Sequence, residues 1–449
     1  ISDYQPGLST LSVMIEKIRA IADWSVLGGG PMGIFAVATM LKEAPSTTRI
    51  NWIDPSFTVG RLLEYKSIPG NTAVSKLHTA FSLLNGFDAA QQRRALHAES
   101  GDASQLDCVQ GRATLAECDP SLTCGLNLCV DALADATAAL LRHPRVTAIP
   151  GTVSALRGAP DSGWTASLYG GDASGGANAA VRSRRALLCT GATPRPPPDA
   201  ALDLLRQNEV YVAAHDSVVV PAKLAALGDS EITLAGSRWA IVGASHSGML
   251  AAQNLHEAGA ASVTVLSRSP LVFATQRSDL SGIPPWVQYD GTGIKGTVAA
   301  WAKSLPPSVT FKLIDSAMSD VEIAAEAAAA ATATTVASQK SDQKSTPSSN
   351  RSAVAAAVAY CIGFDRVAPH DITWSSAADS SHTRSSSDVD LDSFVNRSGH
   401  VPDAPGLYGL GLGFPDEWTD PEGRTETRVG FHFTVRHMRR ILAHAQEEL

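Results

Sequence analysis

The sequence predicts an α/β fold with two parallel-sheet lobes, and three observations carry that expectation. A strand–glycine turn–helix–strand unit opens near Trp24. A second unit of the same design opens near Trp239, about 215 residues further on. Between them, the apolar run 185–189 reads as a buried strand that ends in the tight turn Thr190-Gly191.

In the first unit, 24–27 is the strand and Gly28-Gly29-Gly30-Pro31-Met32-Gly33 the turn. A helix over 33–43 follows, with Ile34, Val37, Ala38 and Leu41 at helical spacing. The strand 50–53 closes the unit and ends at Asp54. In the second unit the strand is 240–242 and the turn is Gly243-Ala244-Ser245-His246-Ser247-Gly248. Its helix spans 249–258, and its closing strand, 262–266, ends at Ser267 and Arg268. Elsewhere, a helix is expected over 129–142, short strands over 153–156 and 164–168, and a last helix from near 429. Residues 323–356 and 375–389 are low in complexity, Ala-rich then Ser/Thr/Lys-rich, and Ser/Asp-rich. Both read as surface insertions, although the alanine run has the propensity for a short helix.

Composition bounds the function. The chain has 449 residues, room for two or three domains, and 44% of them are apolar, as in ordinary globular proteins. A net charge of −8 gives no general attraction to nucleic acid or to an anionic membrane. No apolar run reaches eighteen residues, so no membrane span is expected. The six cysteines (Cys108, Cys118, Cys124, Cys129, Cys189 and Cys361) form neither a CxxC nor a zinc pattern, so no metal site is expected. They read mostly as small core hydrophobes in a reducing compartment, the cytoplasm or an organellar matrix. The start at Ile1 leaves room for a removed targeting peptide.

The two turns carry the chemistry. Gly28, Gly30 and Gly33 fit G-x-G-x-x-G. The first glycine permits the sharp turn, the second lets a pyrophosphate approach the backbone, and the third lets helix pack on strand. Helix-terminal N–H groups then favour the anion, and Asp54 stands where an acid accepts hydrogen bonds from ribose hydroxyls. A glycine turn with no ligand is the competing reading. In the second turn Ser245 replaces the middle glycine, between Gly243 and Gly248, and its hydroxyl and that of Ser247 are candidate phosphate ligands. Ser267 and Arg268 occupy the strand end where an NAD-specific site places an acid, and a guanidinium there suits the 2′-phosphate of NADPH. A solvated surface arginine is the alternative.

The order of Gly28–Gly33 with Asp54, Thr190-Gly191-Ala192-Thr193-Pro194, Gly243–Gly248 with Arg268, and Tyr360-Cys361-Ile362-Gly363-Phe364 resembles the two-dinucleotide-binding-domain flavoproteins, near the class B-like flavin monooxygenases in pattern. The resemblance covers nearly the whole chain outside the low-complexity segments. It implies two Rossmann-like domains, the NAD(P)-binding domain inserted into the FAD-binding domain. The FAD domain would occupy 1–220 and 357–449, the NAD(P)H domain 230–322, with 323–356 an insertion. The implied function is FAD-dependent, NAD(P)H-consuming oxidation of a small molecule, with FAD, NADPH and molecular oxygen. A flavin reductase or dehydrogenase, or a non-catalytic subunit keeping the fold, are the alternatives.

By the same resemblance, FAD contacts fall on Gly28, Gly30, Pro31, Met32, Gly33, Asp54, Arg61, Thr190 and Gly191, and NADPH contacts on the second turn. The segment 60–72 resembles the loop beside the flavin in such monooxygenases, which makes Asn71 the catalytic candidate; a capping Asn in a Pro-Gly turn competes. Asp416 stands displaced from the position of the family's Gly-Asp that holds the ribityl and phosphate groups. The glycine-rich stretch 290–296 is either a cofactor-contacting or a helix-capping loop. Disulfide reductases of this superfamily need a cysteine pair beside the flavin; Cys124 and Cys129 have four residues between them but precede a helix in another region. His246, His432 and His437 receive no role.

Overall fold

A computed structural model describes residues 21–448 apart from 85–114, 116–117, 120–121, 161, 170–179, 275–292, 334–355, 370, 376–388, 396–397, 420–424 and 429. The chain begins with β1 (Ala22–Leu27), α1 (Pro31–Glu43) and β2 (Ile50–Asp54), joined by a 3-10 turn over Gly60–Tyr65 to β3 (Pro69–Ala73) and α2 (Val74–Phe81). Next come β4 (Thr123–Gly125), α3 (Leu126–Leu141), β5 (Val146–Pro150), β6 (Val153–Ala159), β7 (Gly163–Leu168) and β8 (Ala180–Leu188). A crossing strand, β9 (Ala192–Pro194), leads to α4 (Asp199–Gln207), β10 (Tyr211–Ala213), α5 (His215–Val219) and α6 (Pro221–Ser230).

The second unit is β11 (Arg238–Val242), α7 (His246–Glu257) and β12 (Ser262–Ser267), followed by α8 (Gly296–Ala302), β13 (Val309–Leu313), α9 (Asp320–Thr332) and β14 (Ala356–Tyr360). The chain then returns through β15 (Phe364–Arg366), β16 (Asp371–Trp374), β17 (Leu407–Gly409), the ribbon β18 (Asp416–Thr419) and β19 (Thr425–Arg428), and α10 (Phe431–Glu447).

Two large sheets result. The first runs β16-β6-β7-β8-β1-β2-β5, with β17 also paired to β8; the second runs β10-β14-β11-β12-β13. In the first, β1 lies between β8 and β2, parallel to both. In the second, β11 lies between β14 and β12, again parallel to both. Each glycine turn therefore leaves the carboxyl end of a central strand, where chain direction switches sides and open α/β sheets bind ligands.

The second sheet is covered on both faces, as parallel sheets require. Trp239 and Ile241 of β11 pack with Met249, Leu250 and Leu255 of α7, and Ala240 and Val242 face α4 and α9. This alternation is the two-residue period of a strand.

Three features differ from the sequence expectation. Both helices begin earlier than the apolar periodicity suggests, α1 at Pro31 and α7 at His246, because proline is suited to a first turn and polar residues occupy the other. The alanine run is not a surface insertion: α9 starts on a capping box of Ser319 and Glu322 and buries Ile323, Ala324, Ala327, Ala328 and Ala331 against the second sheet. Small side chains let that helix sit close to the strands, so low complexity here is a packing device. Residues 334–355 and 376–388 of the low-complexity segments lie outside the described residues. Finally, β10 and β14 belong to the second sheet, whose strands thus reach beyond 230–322 on both sides. A short apolar run such as 356–360 carries no mark of which sheet it joins.

Among the described residues no helix is long and apolar enough to cross a membrane. Cys124, Cys129, Cys189 and Cys361 are buried free thiols, as a core-hydrophobe reading expects, whereas Cys118 is disulfide-bonded.

Candidate functional site

The two glycine turns repeat one another at their first and last glycines. Gly28 has φ +115°, and a Cβ there would lie 2.3 Å from the Cys189 carbonyl oxygen at the end of β8. Gly243 has φ +103°, and its Cβ would lie 2.3 Å from the Cys361 carbonyl oxygen after β14. A Cβ on Gly33 would approach the Gly28 oxygen to 1.9 Å, and one on Gly248 the Gly243 oxygen to 1.9 Å. These four positions admit only glycine because backbone meets backbone there.

Gly30 is different. It is extended at φ −71°, and a Cβ would meet nothing nearer than the Val59 oxygen at 4.0 Å. The protein does not need glycine at this point; the open space lies at the N-terminus of α1, which has no side-chain cap. That is the cradle a pyrophosphate requires. At the second turn Ser245 holds the same extended conformation at φ −73°, and α7 likewise has no side-chain cap. The serine side chain is exposed, so it is accommodated without closing the turn.

Around the first turn several distant segments converge. Met32 accepts a hydrogen bond from Thr434 Oγ1 at 2.9 Å, and Gly411 passes so close that a Cβ would lie 2.4 Å from Met32 Cγ. Gly413 passes equally close to the Gly191 oxygen, at 2.7 Å for its Cβ. Thr190 Oγ1 donates to the Val367 carbonyl, and Gly191 has φ +77° with open space around its Cα. The 409–414 loop thus packs against both the Gly28–Gly33 turn, at Met32, and the Thr190-Gly191 turn.

Asp54 reaches the turn by another route than expected. Its carboxylate accepts from the N–H groups of Gly29 at 2.5 Å, Ser56 at 2.9 Å and Phe57 at 2.6 Å. It clamps the turn to the following loop. Arg61 is also engaged elsewhere: it pairs with Asp216 of α5 at 2.6 Å and donates through Nε to Tyr65 at 3.1 Å. His215, Tyr65 and Arg61 bond to the Asp216 carboxylate and hold it far below the usual carboxylate range, against the opposing effect of burial. This cluster ties the 60–65 turn to the second lobe. Asp416 is buried and ion-paired with Arg440 of α10.

At the second turn, the strand-end corner is not free of acid. Arg268 donates to the Met318 carbonyl at 3.1 Å and faces Asp320 at 3.3 Å. Asp320 is the first residue of α9, and only the packing of that helix brings it there. Ser267 is occupied within its own turn, donating to the Ser269 oxygen at 2.8 Å. Ser247 is partly exposed beside the turn. His246 meets the Pro69 carbonyl of β3 at 3.3 Å; burial, with Lys295 nearby, lowers it to about 4.

Asn71 uses both ends of its carboxamide on the second lobe, accepting from Lys295 N at 2.9 Å and donating to the Gly293 oxygen at 3.3 Å. It acts as a clip between β3 and the 293–295 loop, so the glycine-rich stretch is a structural partner of the candidate catalytic residue. Asp290, Gly291 and Thr292 lie outside the described residues. Cys124 and Cys129 do meet: a hydrogen bond between the thiols, then burial, raises Cys129 well above its ordinary value. A reactive thiolate needs the opposite shift. Asp320, Asp216 and the Asn71 partners escaped sequence reasoning because each is a contact between segments more than fifty residues apart.

No family model matches the chain. It is 25% identical over 434 residues to "Monooxygenase AgnR1" of Paecilomyces divaricatus, covering 93% of this chain and 96% of that one. Among solved structures, an ornithine N-hydroxylase of Kutzneria sp. 744 superposes with a TM-score of 0.52 at 13% identity, over 96% of this chain and all of that one. The protein Tmm of a Pelagibacter sp. strain, HTCC7211, superposes with a TM-score of 0.51 at 10% identity, over 95% of this chain and 76% of that one.

The fold is that of the two-dinucleotide-binding-domain flavoproteins. In this fold the doubled glycine turns each leave the carboxyl end of a central parallel strand.

Proposed function

We propose that the chain is a flavoprotein monooxygenase that holds FAD at the Gly28–Gly33 turn and NADPH at the Gly243–Gly248 turn, and oxidises a small organic substrate with molecular oxygen. The observation that carries this reading is the open space at Gly30. Backbone packing demands glycine at Gly28 and Gly33 but not at Gly30, where a missing side chain serves only a ligand. The monooxygenase relative, aligned over nearly the whole of both chains, supports the reaction type. The ornithine N-hydroxylase, solved with reduced FAD and NADP+, supports the cofactor pair.

The residues present fit both groups. Helix-terminal N–H groups at α1 and α7 would meet a phosphate without a competing side-chain cap. The exposed Ser245 hydroxyl adds a donor at the second turn, and Arg268 is within reach of a 2′-phosphate in competition with Asp320. When bound, the nicotinamide supplies hydride and the reduced flavin supplies reactivity toward oxygen; the protein orients the two and excludes water. Asn71 has its role here through the 293–295 loop, whose position it fixes.

The visible spectrum of the purified protein tests the reading. We expect flavin absorption that bleaches on anaerobic NADPH addition and returns with oxygen uptake. A folded, colourless protein that takes up no added FAD would end it.

A further inference from the structure

Where β3 and β4 of the first lobe meet α8 of the second, a cavity of about 420 Å3 opens, within the usual size range of small-molecule sites. Its walls include Ala73, Leu122, Ile294, Ala299 and Ala300. The small residues on α8 leave the space, and the apolar ones make it suited to a carbon skeleton. Two cations also line it, Lys295 and Lys303. They flank α8 as its N-cap and C-cap, roughly 12 Å apart along the axis at 1.5 Å per residue. None of the described lining residues is acidic. Lys303 Nζ stands 5.3 Å from the Phe273 ring centroid, and among the described residues no carboxylate pairs with it.

An ammonium group beside an apolar cavity, with an aromatic face and no counter-ion among the described residues, favours an anionic ligand group. The chain as a whole carries −8, so this local positive field is opposite in sign to the protein's average. The cavity also shares a strand with the second glycine turn. Ala73 ends β3, Asn71 of that strand clips the 293–295 loop, and Pro69 at its start meets His246 of the turn.

We infer that this cavity is the substrate site and that it takes an apolar, ring-sized carboxylic acid, its carboxylate held by Lys303. The inference deepens the monooxygenase reading and rests on it for the oxidation of the bound acid. The acid's skeleton lies along Ala299 and Ala300, and its charge lies at the α8 end that carries Lys303.

Calorimetric titration of the full chain as purified, with 2-naphthoate and with neutral 2-naphthamide, tests it without turnover. We expect naphthoate to bind at least tenfold more tightly than naphthamide. Lys303→Met should weaken naphthoate tenfold or more while leaving naphthamide within twofold. Ala300→Trp, filling the cavity, should abolish both, and thermal melting of each variant checks folding. Equal affinity for the two probes, binding of neither, or a naphthoate affinity untouched by Lys303→Met would overturn the assignment. Selective acid binding by a protein that never oxidises NADPH would leave the site standing and remove the monooxygenase reading. NADPH-driven oxidation of neutral compounds without acid selectivity would do the reverse.

Discussion

Arg268 and Asp320 stand 3.3 Å apart beside the second glycine turn, although 52 residues separate them in the chain. The acid begins helix α9, where the helix dipole favours it, and its carboxylate occupies the guanidinium that a 2′-phosphate would use. Both side chains are about half exposed, at 47% and 57%, so the pair itself contributes about 0–1 kcal/mol.

Under the proposed reading, cofactor choice depends on that competition. Arg268→Ala should weaken NADPH by tenfold to a hundredfold, as loss of a charge-assisted hydrogen bond of about 1.5–3 kcal/mol implies, and leave NADH nearly unchanged. Asp320→Asn should tighten NADPH by up to about fivefold, the value of an exposed ion pair. Dissociation constants for both nucleotides, measured by titration, check this. Equal losses for the two nucleotides in Arg268→Ala would remove Arg268 as the selector.

The glycines of the first turn should separate folding from binding. Gly30→Val puts its side chain into open space, so the melting temperature should stay within a few degrees while flavin is lost. Gly33→Ala drives a methyl to 1.9 Å from the Gly28 oxygen and should cost at least the roughly 1–3 kcal/mol of an overpacked core. Flavin content and thermal melting of the two variants, read side by side, make the distinction. A Gly30→Val protein that keeps its full flavin complement would contradict the site.

Helix α9 should behave as core. Ala327 is fully buried against the second sheet, and Ala327→Leu should destabilise by about 1–3 kcal/mol. In a lobe of this size that lowers the melting temperature by roughly 2–4 °C per kcal/mol. Melting behaviour identical to wild type would show that α9 does not pack on the sheet.

Acid should destabilise the protein through His437. Burial lowers this histidine to about 4, with Arg440 adding to the shift and Asp416 opposing it. Its unfolded value is about 6.5. The unfolded chain therefore takes up a proton that the folded one refuses as pH falls below 6.5, and stability is lost between about pH 6.5 and 4, then levels off. The full effect is at most about 3 kcal/mol at 1.36 kcal/mol per unit. Denaturant melts at pH 7 and pH 4.5 should show a smaller difference for His437→Gln than for wild type; an unchanged difference would assign the acid sensitivity to other groups.

Most of the fold was legible in the sequence. The two glycine turns, the helices behind them and the strands around Leu27, Ile53, Leu188, Val242 and Leu266 all rest on local rules. A turn with φ above zero needs glycine, and an apolar helix face repeats every three to four residues. The alanine run of α9 misled because a stripe of small residues looks featureless until a sheet lies beside it. Strand β14 was placed with the other sheet because a five-residue apolar strand carries no address.

The residues along the chain are thus enough to place two tight glycine turns behind two strands, since backbone geometry there admits few residues. Which side chains stand around those turns is a matter of three-dimensional packing. Asp320 beside Arg268, Asp216 on Arg61, Arg440 on Asp416 and Asn71 clasping Lys295 are pairings across fifty to more than two hundred residues, apart from the closer Asp416–Arg440 contact. Such pairings depend on how helices and strands dock, and docking is set by the sum of many apolar contacts that no short stretch of sequence encodes.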